Sequence, residues 1–413
     1  MSWLNRTVIG AGLTSFLADV GYEFATALLP AFLLALGLNP AQAAPALGAI
    51  EAAAEFLSNA AKLVVGWWSD RVGKRKALVV FGYALTGSAF ALCAVAVSWP
   101  MVLAAKSLAW LGKGIRGPLR NAIISDSVNP GDRGKAFGFH RAGDTLGAVL
   151  GPVLAAVVLY RLTPDAAGQT ADAFRSAFWL TLVPGLGAAV TFALLVREQR
   201  FTPKPGLRLG ASLAALPAEY RRFLVGVGLF GLGDFAHTLL ILAATVALAE
   251  TWADAAVLGV GLYAWRNLCQ AAAAFPAGWL GDRVGHVRVL VGGYVLGAMT
   301  MAGFALLLLT APGSFAGWLG LFALAGGYMA VQEALEPAVV PEFVPDKASH
   351  GTAFGVLAVV NGLGDVGASL AVGGLFAAVG PAAGLGYAAA LMLLGAAWLA
   401  VATRRPAALD AAG

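Results

Sequence analysis

Long apolar stretches alternate with short charged or Gly- and Pro-marked turns along the whole chain. Reading each apolar run between its breakers predicts helices near residues 7–36, 42–69, 77–97, 100–124, 135–160 and 174–195, then 221–249, 255–281, 287–310, 315–340, 350–378 and 381–403. Each has at least the roughly 20 residues that a bilayer crossing needs. Between the sixth and seventh runs, Arg197 to Arg222 gathers Arg200, Lys204, Arg208 and Arg221 with an apolar patch from Leu213 to Leu216, and reads as a linker carrying a short surface helix. The expected fold is an all-α membrane protein of twelve transmembrane helices in two six-helix halves, 1–196 and 221–413, joined by a cytoplasmic linker over 197–220.

Composition agrees with this pattern. Of 413 residues, 59% are hydrophobic and 12% charged, with a mean hydropathy of +0.79, against roughly 45–50% apolar and about 25% charged in soluble domains. Shared among twelve spans, the chain allows about 34 residues each, a helix and a short loop, which leaves no separate soluble domain. The first apolar run lacks a signal-peptide cleavage site and reads as a retained span. Cys93 and Cys269 fall inside apolar runs without metal or redox spacing, so buried free thiols are expected and no disulfide.

The net charge of +5 is explained by where the bases fall. A cytoplasmic N-terminus puts Arg6, Arg71, Lys74, Arg75, Lys76, Arg133, Lys135, the linker bases, Arg283, Arg288, Lys347, Arg404 and Arg405 on one side and leaves Arg161 and Arg175 on the other. Both termini are then cytoplasmic, which an even number of spans requires. Trp3, Trp99, Trp252 and Trp318 lie near predicted span ends, where indole favours the interface.

One charged turn occurs twice. Gly66 to Lys76 reads Gly-Trp-Trp-Ser-Asp-Arg-Val-Gly-Lys-Arg-Lys, and 212 residues further on Gly278 to Arg288 reads Gly-Trp-Leu-Gly-Asp-Arg-Val-Gly-His-Val-Arg. A repeat at that distance is too long for a solenoid and fits the parallel duplication of a secondary transporter. Gly66 and Gly278 allow close helix approach, and Gly73 and Gly285 a tight turn. The pattern Gly-x-x-x-Asp-Arg-x-Gly-x-[Arg/Lys], around Asp70-Arg71 and Asp282-Arg283, resembles the signature of the major facilitator superfamily. That resemblance implies alternating access, and a contact of Asp70 with the start of the eleventh helix near His350 to Thr352 that closes the cytoplasmic side. It also implies a base at Lys74 and an acid at Asp126, mirrored by Asp282, His286 and Glu342 against the fifth helix near Gly134. Because His286 departs from the usual base, the second latch is expected to be the weaker. Gly147-Ala-Val-Leu-Gly151-Pro152 is similar to the superfamily's antiporter motif, which packs the two halves together and implies export in exchange for protons; it departs from the fuller form at Ala155 and Ala156. A plain helix-packing site is its other reading.

Ionisable residues inside spans are functional candidates because burying a charge is costly. The first span carries Ser15, Asp19 and Glu23 on one stripe and the second Glu51, Glu55 and Asn59. The fourth carries Lys106, Lys113, Arg116 and Arg120, expected to face those acids, and the fifth His140, Arg141 and Asp144. Lys106 falls near the family's coupling arginine by resemblance. The second half holds Asp234, His237, Arg266, Glu333, Glu336, Asn361 and Asp365 and is more acidic. Asp19, Glu23, Asp144 and Asp234 lead as proton carriers, and Glu51 and Glu55 can answer Lys113 or Arg116. Buried pairs that merely hold helices in register are the competing account.

The expected function is a proton-coupled antiporter exporting a small solute. A drug-like or metal cation would use Asp19, Asp144, Asp234, His237 and Asp365, and an organic anion Lys113, Arg116, Arg120 and Arg141. Proton-coupled import by symport is the alternative. A sensor or interaction protein that lost transport would need a signalling extension, which is not seen. No nucleophile-and-base set, metal spacing or phosphate loop suggests an enzyme or a cofactor, and no basic patch interleaved with aromatics suggests nucleic acid. The partners expected are protons, the small substrate and lipid, with the protein a monomer in a prokaryotic inner membrane.

Overall fold

The computed structural model describes residues 3–38, 40–162, 170–199, 202–203, 206, 208–235, 237–249, 251 and 255–402. The predicted spans form α1 (Arg6–Ala35), α2 (Pro40–Val72), α3 (Arg75–Ala91), α4 (Trp99–Asp126), α5 (Arg133–Leu162), α6 (Ala171–Leu180) and α7 (Leu182–Leu195). The linker contributes α8 (Leu209–Ala214). The rest is α9 (Ala218–Gly231), α10 (His237–Ala249), α11 (Ala255–Val284), α12 (His286–Thr310), α13 (Phe315–Phe343), α14 (His350–Ala378) and α15 (Pro381–Ala402).

Two predicted helices are each divided. The run over 174–195 changes from α6 to α7 at Thr181, whose hydroxyl donates to the Phe178 carbonyl at 2.7 Å. The run over 221–249 stops at Gly231 and restarts at His237, leaving Asp234 in the break. Among the described residues six helical segments are long and apolar enough to cross a membrane, from Arg75–Val95 to Pro381–Ala402. The long helices outside that set, α1, α2, α4, α5 and α11, hold most of the embedded charges.

α1–α7 pack as an N-terminal bundle and α9–α15 as a C-terminal bundle. In the first, Phe32 meets Phe174 and Phe178, and Tyr83 meets Phe192. In the second, Phe230 stacks on Tyr294 at 3.7 Å, and Phe304 meets Trp318 and Phe322. Trp318 is fully buried, with its indole donating to the Pro312 carbonyl at 2.8 Å, so its ring serves the core and not an interface. Trp252 lies outside the described residues.

The bundles meet where glycine removes the side chain. A Cβ on Gly66 would stand 2.3 Å from the Gly351 carbonyl oxygen, and one on Gly134 would stand 2.2 Å from that of Gly278. The α2–α14 contact continues through Gly355 against Lys62 and Gly362 against Asn59, after which α14 turns to α9, with Gly364 against Gly231. α5 does the same. Gly138 lies on Ala274 of α11, but Gly143, Gly147 and Gly151 lie on Gly12, Phe16 and Val20 of α1. The bundles therefore touch over the ends that carry the repeated turns and part beyond them.

This corrects the expectation for Gly147, Gly151 and Pro152. Their backbone approach is to α1 of the same bundle, at 2.5 Å and 2.8 Å from the Phe16 and Val20 oxygens, so the motif does not join the halves. The residues of α5 that do are Gly134 and Gly138, about two and a half turns or more earlier.

Candidate functional site

The first turn begins where α2 ends. Gly73 adopts φ +71°, a left-handed conformation that suits glycine, and reverses the chain into α3. The carboxylate of Asp70, fully buried, accepts from the backbone N–H of Gly351 at 3.1 Å and of Thr352 at 2.7 Å, and from the Thr352 hydroxyl at 2.8 Å. These amides open α14, so the carboxylate satisfies helix-end donors and sits at the positive end of the dipole. The resemblance-based contact between Asp70 and the eleventh span is present.

The base expected at Lys74 is Arg75. Lys74 is exposed as the residue preceding α3, whereas Arg75, 1% exposed, turns inward. Its guanidinium donates to Asp70 at 2.9 Å, to Asp126 at 3.0 Å and to the Lys347 carbonyl at 2.6 Å. The reversal at Gly73 aims the first helical residue back between the two carboxylates, and the fork reaches both. Asp126, at the foot of α4, also takes His350 Nδ1 at 2.8 Å, and His350 Nε2 faces the Val344 carbonyl at 2.9 Å. Sequence reasoning missed Arg75 and His350 as site members, although Arg75 stands in the motif.

The second turn mirrors the first. Gly285 has φ +106°, and Asp282 accepts from the N–H groups of Gly134 and Lys135 at 2.8 and 2.9 Å, at the start of α5. His286 bridges Asp282 at 2.9 Å and Glu342 at 2.5 Å, as Arg75 bridges Asp70 and Asp126. The substitution of His for the usual base thus leaves the bridge complete. Arg71 and Arg283 lie over Trp67 and Trp279 at 4.9 and 3.9 Å, in matching positions of the two turns.

Deeper in the N-terminal bundle the bases of α4 disperse among several partners. Lys106 is fully buried and ion-paired with Glu51, and Glu55 accepts from the Trp110 indole at 2.9 Å. Acids of α2 thus face bases of α4 as expected, with Glu55 near Lys113, but the partner of Glu51 is Lys106 and not Lys113 or Arg116. Lys113 lies against the rings of Tyr22 at 4.6 Å and Trp110 at 4.7 Å and makes no ion pair among the described residues. Arg116 lies over Tyr83 at 4.2 Å, with Nε and Nη1 unpartnered. Arg120 donates to Ser15 at 3.2 Å and to Tyr83 at 3.4 Å, and Ser15 is 3.1 Å from His140. Arg116, Arg120 and His140 are buried among α1, α3, α4 and α5, not spread along one open wall.

The Asp19 carboxyl meets that of Asp144 across α1 and α5 and takes the Tyr22 hydroxyl at 3.4 Å. Asp144 is held by Arg141 at 2.6 Å, and Arg141 reaches Glu333 of the other bundle at 3.7 Å. Glu23 is half-buried on the same helix as Asp19, one turn on.

In the C-terminal bundle Glu333 accepts from Gln270 at 2.7 Å. Glu336 accepts from Tyr294 and Asn361, both at 2.6 Å. Asp234 takes the Tyr328 hydroxyl at 3.4 Å, and Asp365 is exposed on α14. Arg266 pairs with Asn267 and lies 4.8 Å from the Tyr263 ring. The side chain of His237 lies outside the described residues. Among the described residues no group of His, Cys, Asp and Glu is placed to hold a metal ion, and Cys93 and Cys269 are free.

A bundle of long apolar helices with paired closing contacts at one end defines a multi-pass membrane transporter fold. The Major Facilitator Superfamily model matches residues 11–261. An MFS-type transporter of Methanocaldococcus jannaschii is 32% identical over 375 residues, covering 90% of this chain and 89% of its own length. The chain belongs to the major facilitator superfamily, whose members are transport proteins and not enzymes. Two solved structures share the fold. FucP, the fucose:proton symporter of E. coli, in its outward conformation gives a TM-score of 0.77 at 16% identity, over 98% of this chain and all of that one. The human organic anion transporter MFSD10 gives 0.74 at 18% identity, over 95% and 99%. The protein is a secondary-active transporter that works by alternating access.

Proposed function

We propose that this transporter is a proton-coupled symporter that carries a small anionic metabolite into the cell, with Asp19 as proton carrier and Lys113 as the first cation the cargo meets. The observation that carries the reading is that, among the described residues, the free carboxyl and the free cation are two distinct groups on either side of Tyr22. Asp144 already has Arg141, which leaves Asp19 as the carboxyl whose charge either a proton or the unpartnered Arg116 can balance. Lys113 lies between Tyr22 and Trp110, and the same Tyr22 gives its hydroxyl to Asp19, so cation and carboxyl are neighbours but different groups. Distinct groups for proton and cargo can be filled together, as symport requires, whereas antiport by competition needs one shared group. An anion moving with a proton also crosses without net charge.

FucP carries a sugar with a proton and MFSD10 carries organic anions, and both lend support. The motif that suggested antiport lies inside one bundle. The full topology belongs to the same proposal: twelve crossings, with α6–α7 and α9–α10 counted as one each, halves 1–196 and 221–413, a linker over 197–220 and both termini cytoplasmic. The closed turns then face the cytoplasm, and the conformation described is outward-facing. A monomer in a prokaryotic inner membrane completes the reading.

The test is uptake into proteoliposomes under an imposed pH gradient, with lumenal pH followed as a panel of organic anions is added. Proton flux in the direction of the cargo is expected. Asp19→Asn should abolish gradient-driven accumulation while cargo exchange without a gradient survives. Lys113→Gln should raise KM by about tenfold, the equivalent of roughly 1.4 kcal/mol. Proton flux opposite to the cargo would return the protein to the antiporters.

A further inference from the structure

The two turn contacts are copies with one base exchanged. Setting Ala136-Phe137-Gly138 against Ala353-Phe354-Gly355 places Arg133 opposite His350; the turns set Lys74 against His286, but the bridging place that His286 holds is taken in the first turn by Arg75, one residue further on. In the first contact the bridge between the two carboxylates is an arginine, Arg75, and the residue opening the partner helix is a histidine, His350. In the second the bridge is a histidine, His286, and the residue opening the partner helix is an arginine, Arg133, which lies beside Glu342 and Asp126. Each closure therefore joins one arginine and one imidazole.

Both imidazoles are bonded at both nitrogens, and every partner is an acceptor. His286 faces Asp282 and Glu342, and His350 faces Asp126 and the Val344 carbonyl. An imidazole donates two hydrogen bonds only when both nitrogens carry protons. Loss of one proton leaves a buried acceptor without its donor. The consequence differs between the two sites. The His350–Asp126 bond joins α14 to α4 and so crosses between the bundles directly. The His286 bond steadies Asp282, which itself accepts the α5 amides of Gly134 and Lys135 from the other bundle.

We propose that the turn-side closure is a two-histidine pH switch, held shut while His286 and His350 are imidazolium and released when the pH on that side rises. The other charged groups around His286 are Asp282 of α11, Glu342 of α13, and Arg133 and Lys135 of α5, with Asp132 paired to Lys135 at 2.6 Å. Around His350 they are Asp126 of α4 and, through it, Arg75 of α3 and Asp70 of α2, with Lys347 and Asp346 in the preceding turn. In each set three carboxylates face two permanent cations, so a positive charge on the imidazole completes the balance.

The switch is read as a distance. Spin labels at Lys74→Cys and Arg288→Cys, both exposed and on opposite bundles, report turn-side opening in nanodiscs, with Cys93 and Cys269 replaced by Ser. Between about pH 5.5 and about pH 10 the open-to-closed ratio of the parent should rise at least about tenfold, as expected for losing one charge-assisted bond. His286→Arg with His350→Arg should stay closed at both values. His286→Gln with His350→Gln should be shifted open at both. A parent whose ratio is constant, or either double variant that keeps the parent's response, overturns the proposal. If the arginine pair fails to fold, the glutamine pair alone decides it.

Discussion

Arg75 shows how much rests on one side chain. It is buried, joins Asp70 to Asp126 and donates to a carbonyl of the opposite bundle. Removing it leaves two buried carboxylates without their cation, and such a deletion typically costs about 3–5 kcal/mol. Arg75→Ala should therefore favour the turn-side open state, read as faster alkylation of a cysteine placed at Ser69, with Lys74→Ala as the near-neutral comparison. An effect of equal size from Lys74→Ala would mean that the exposed neighbour carries the bridge after all. The motif places three consecutive bases at residues 74–76, and nothing in that string says which one faces in. The left-handed backbone at Gly73 decides it, because it fixes where the next helix starts.

At the scale of elements, α5 is the helix that serves both bundles in turn. Its first two turns lie on α11 and its later turns on α1, in each case through glycines that leave no room for a side chain. Two substitutions separate these roles. Gly147→Leu would push against the Phe16 oxygen and the Asp19 Cβ within one bundle, and should lower thermal stability in detergent by about 1–3 kcal/mol, the usual range for overpacking, with the turn-side distance unchanged. Gly66→Leu would press on the Gly351 oxygen of the other bundle and should instead lengthen the turn-side distance with little loss of thermal stability. Reversal of the two outcomes would show that the assignment of interfaces is wrong. The break between α9 and α10 had no signal in the apolar run from 221 to 249, since Gly231 and Gly233 are common inside membrane helices.

For the whole molecule, alternating access requires that the contacts between bundles at the turns be made and broken as units. The α2–α14 seam ends at Asn59 and Gly362, where a Cβ on the glycine would lie 2.6 Å from the Asn59 side-chain oxygen. A disulfide between Asn59→Cys and Gly362→Cys should lock this side closed and reduce transport by more than about tenfold, with recovery on reduction. Unaltered transport by the oxidised pair would mean that the seam does not open in the cycle. The factor corresponds to a shift of only about 1.4 kcal/mol in the opening equilibrium.

The sequence by itself determined the helical membrane fold, the internal repeat and the two linked turns, and the family resemblance implied which helix each turn carboxylate meets. Those features are carried by composition, by apolar runs of bilayer length and by a motif that repeats in register. Tertiary structure alone decided which base bridges the first turn, where α5 leaves one bundle for the other, and how the bases of α4 divide. Helical periodicity assigns Lys106, Lys113, Arg116 and Arg120 to one side of a helix. It does not say that this side is shared by α1, α2 and α3, so that the first base is neutralised by Glu51, the second rests between aromatic rings and the third lies over Tyr83. A charge inside a membrane protein takes its role from the few side chains within reach. Which side chains those are depends on how helices far apart in the chain come to pack.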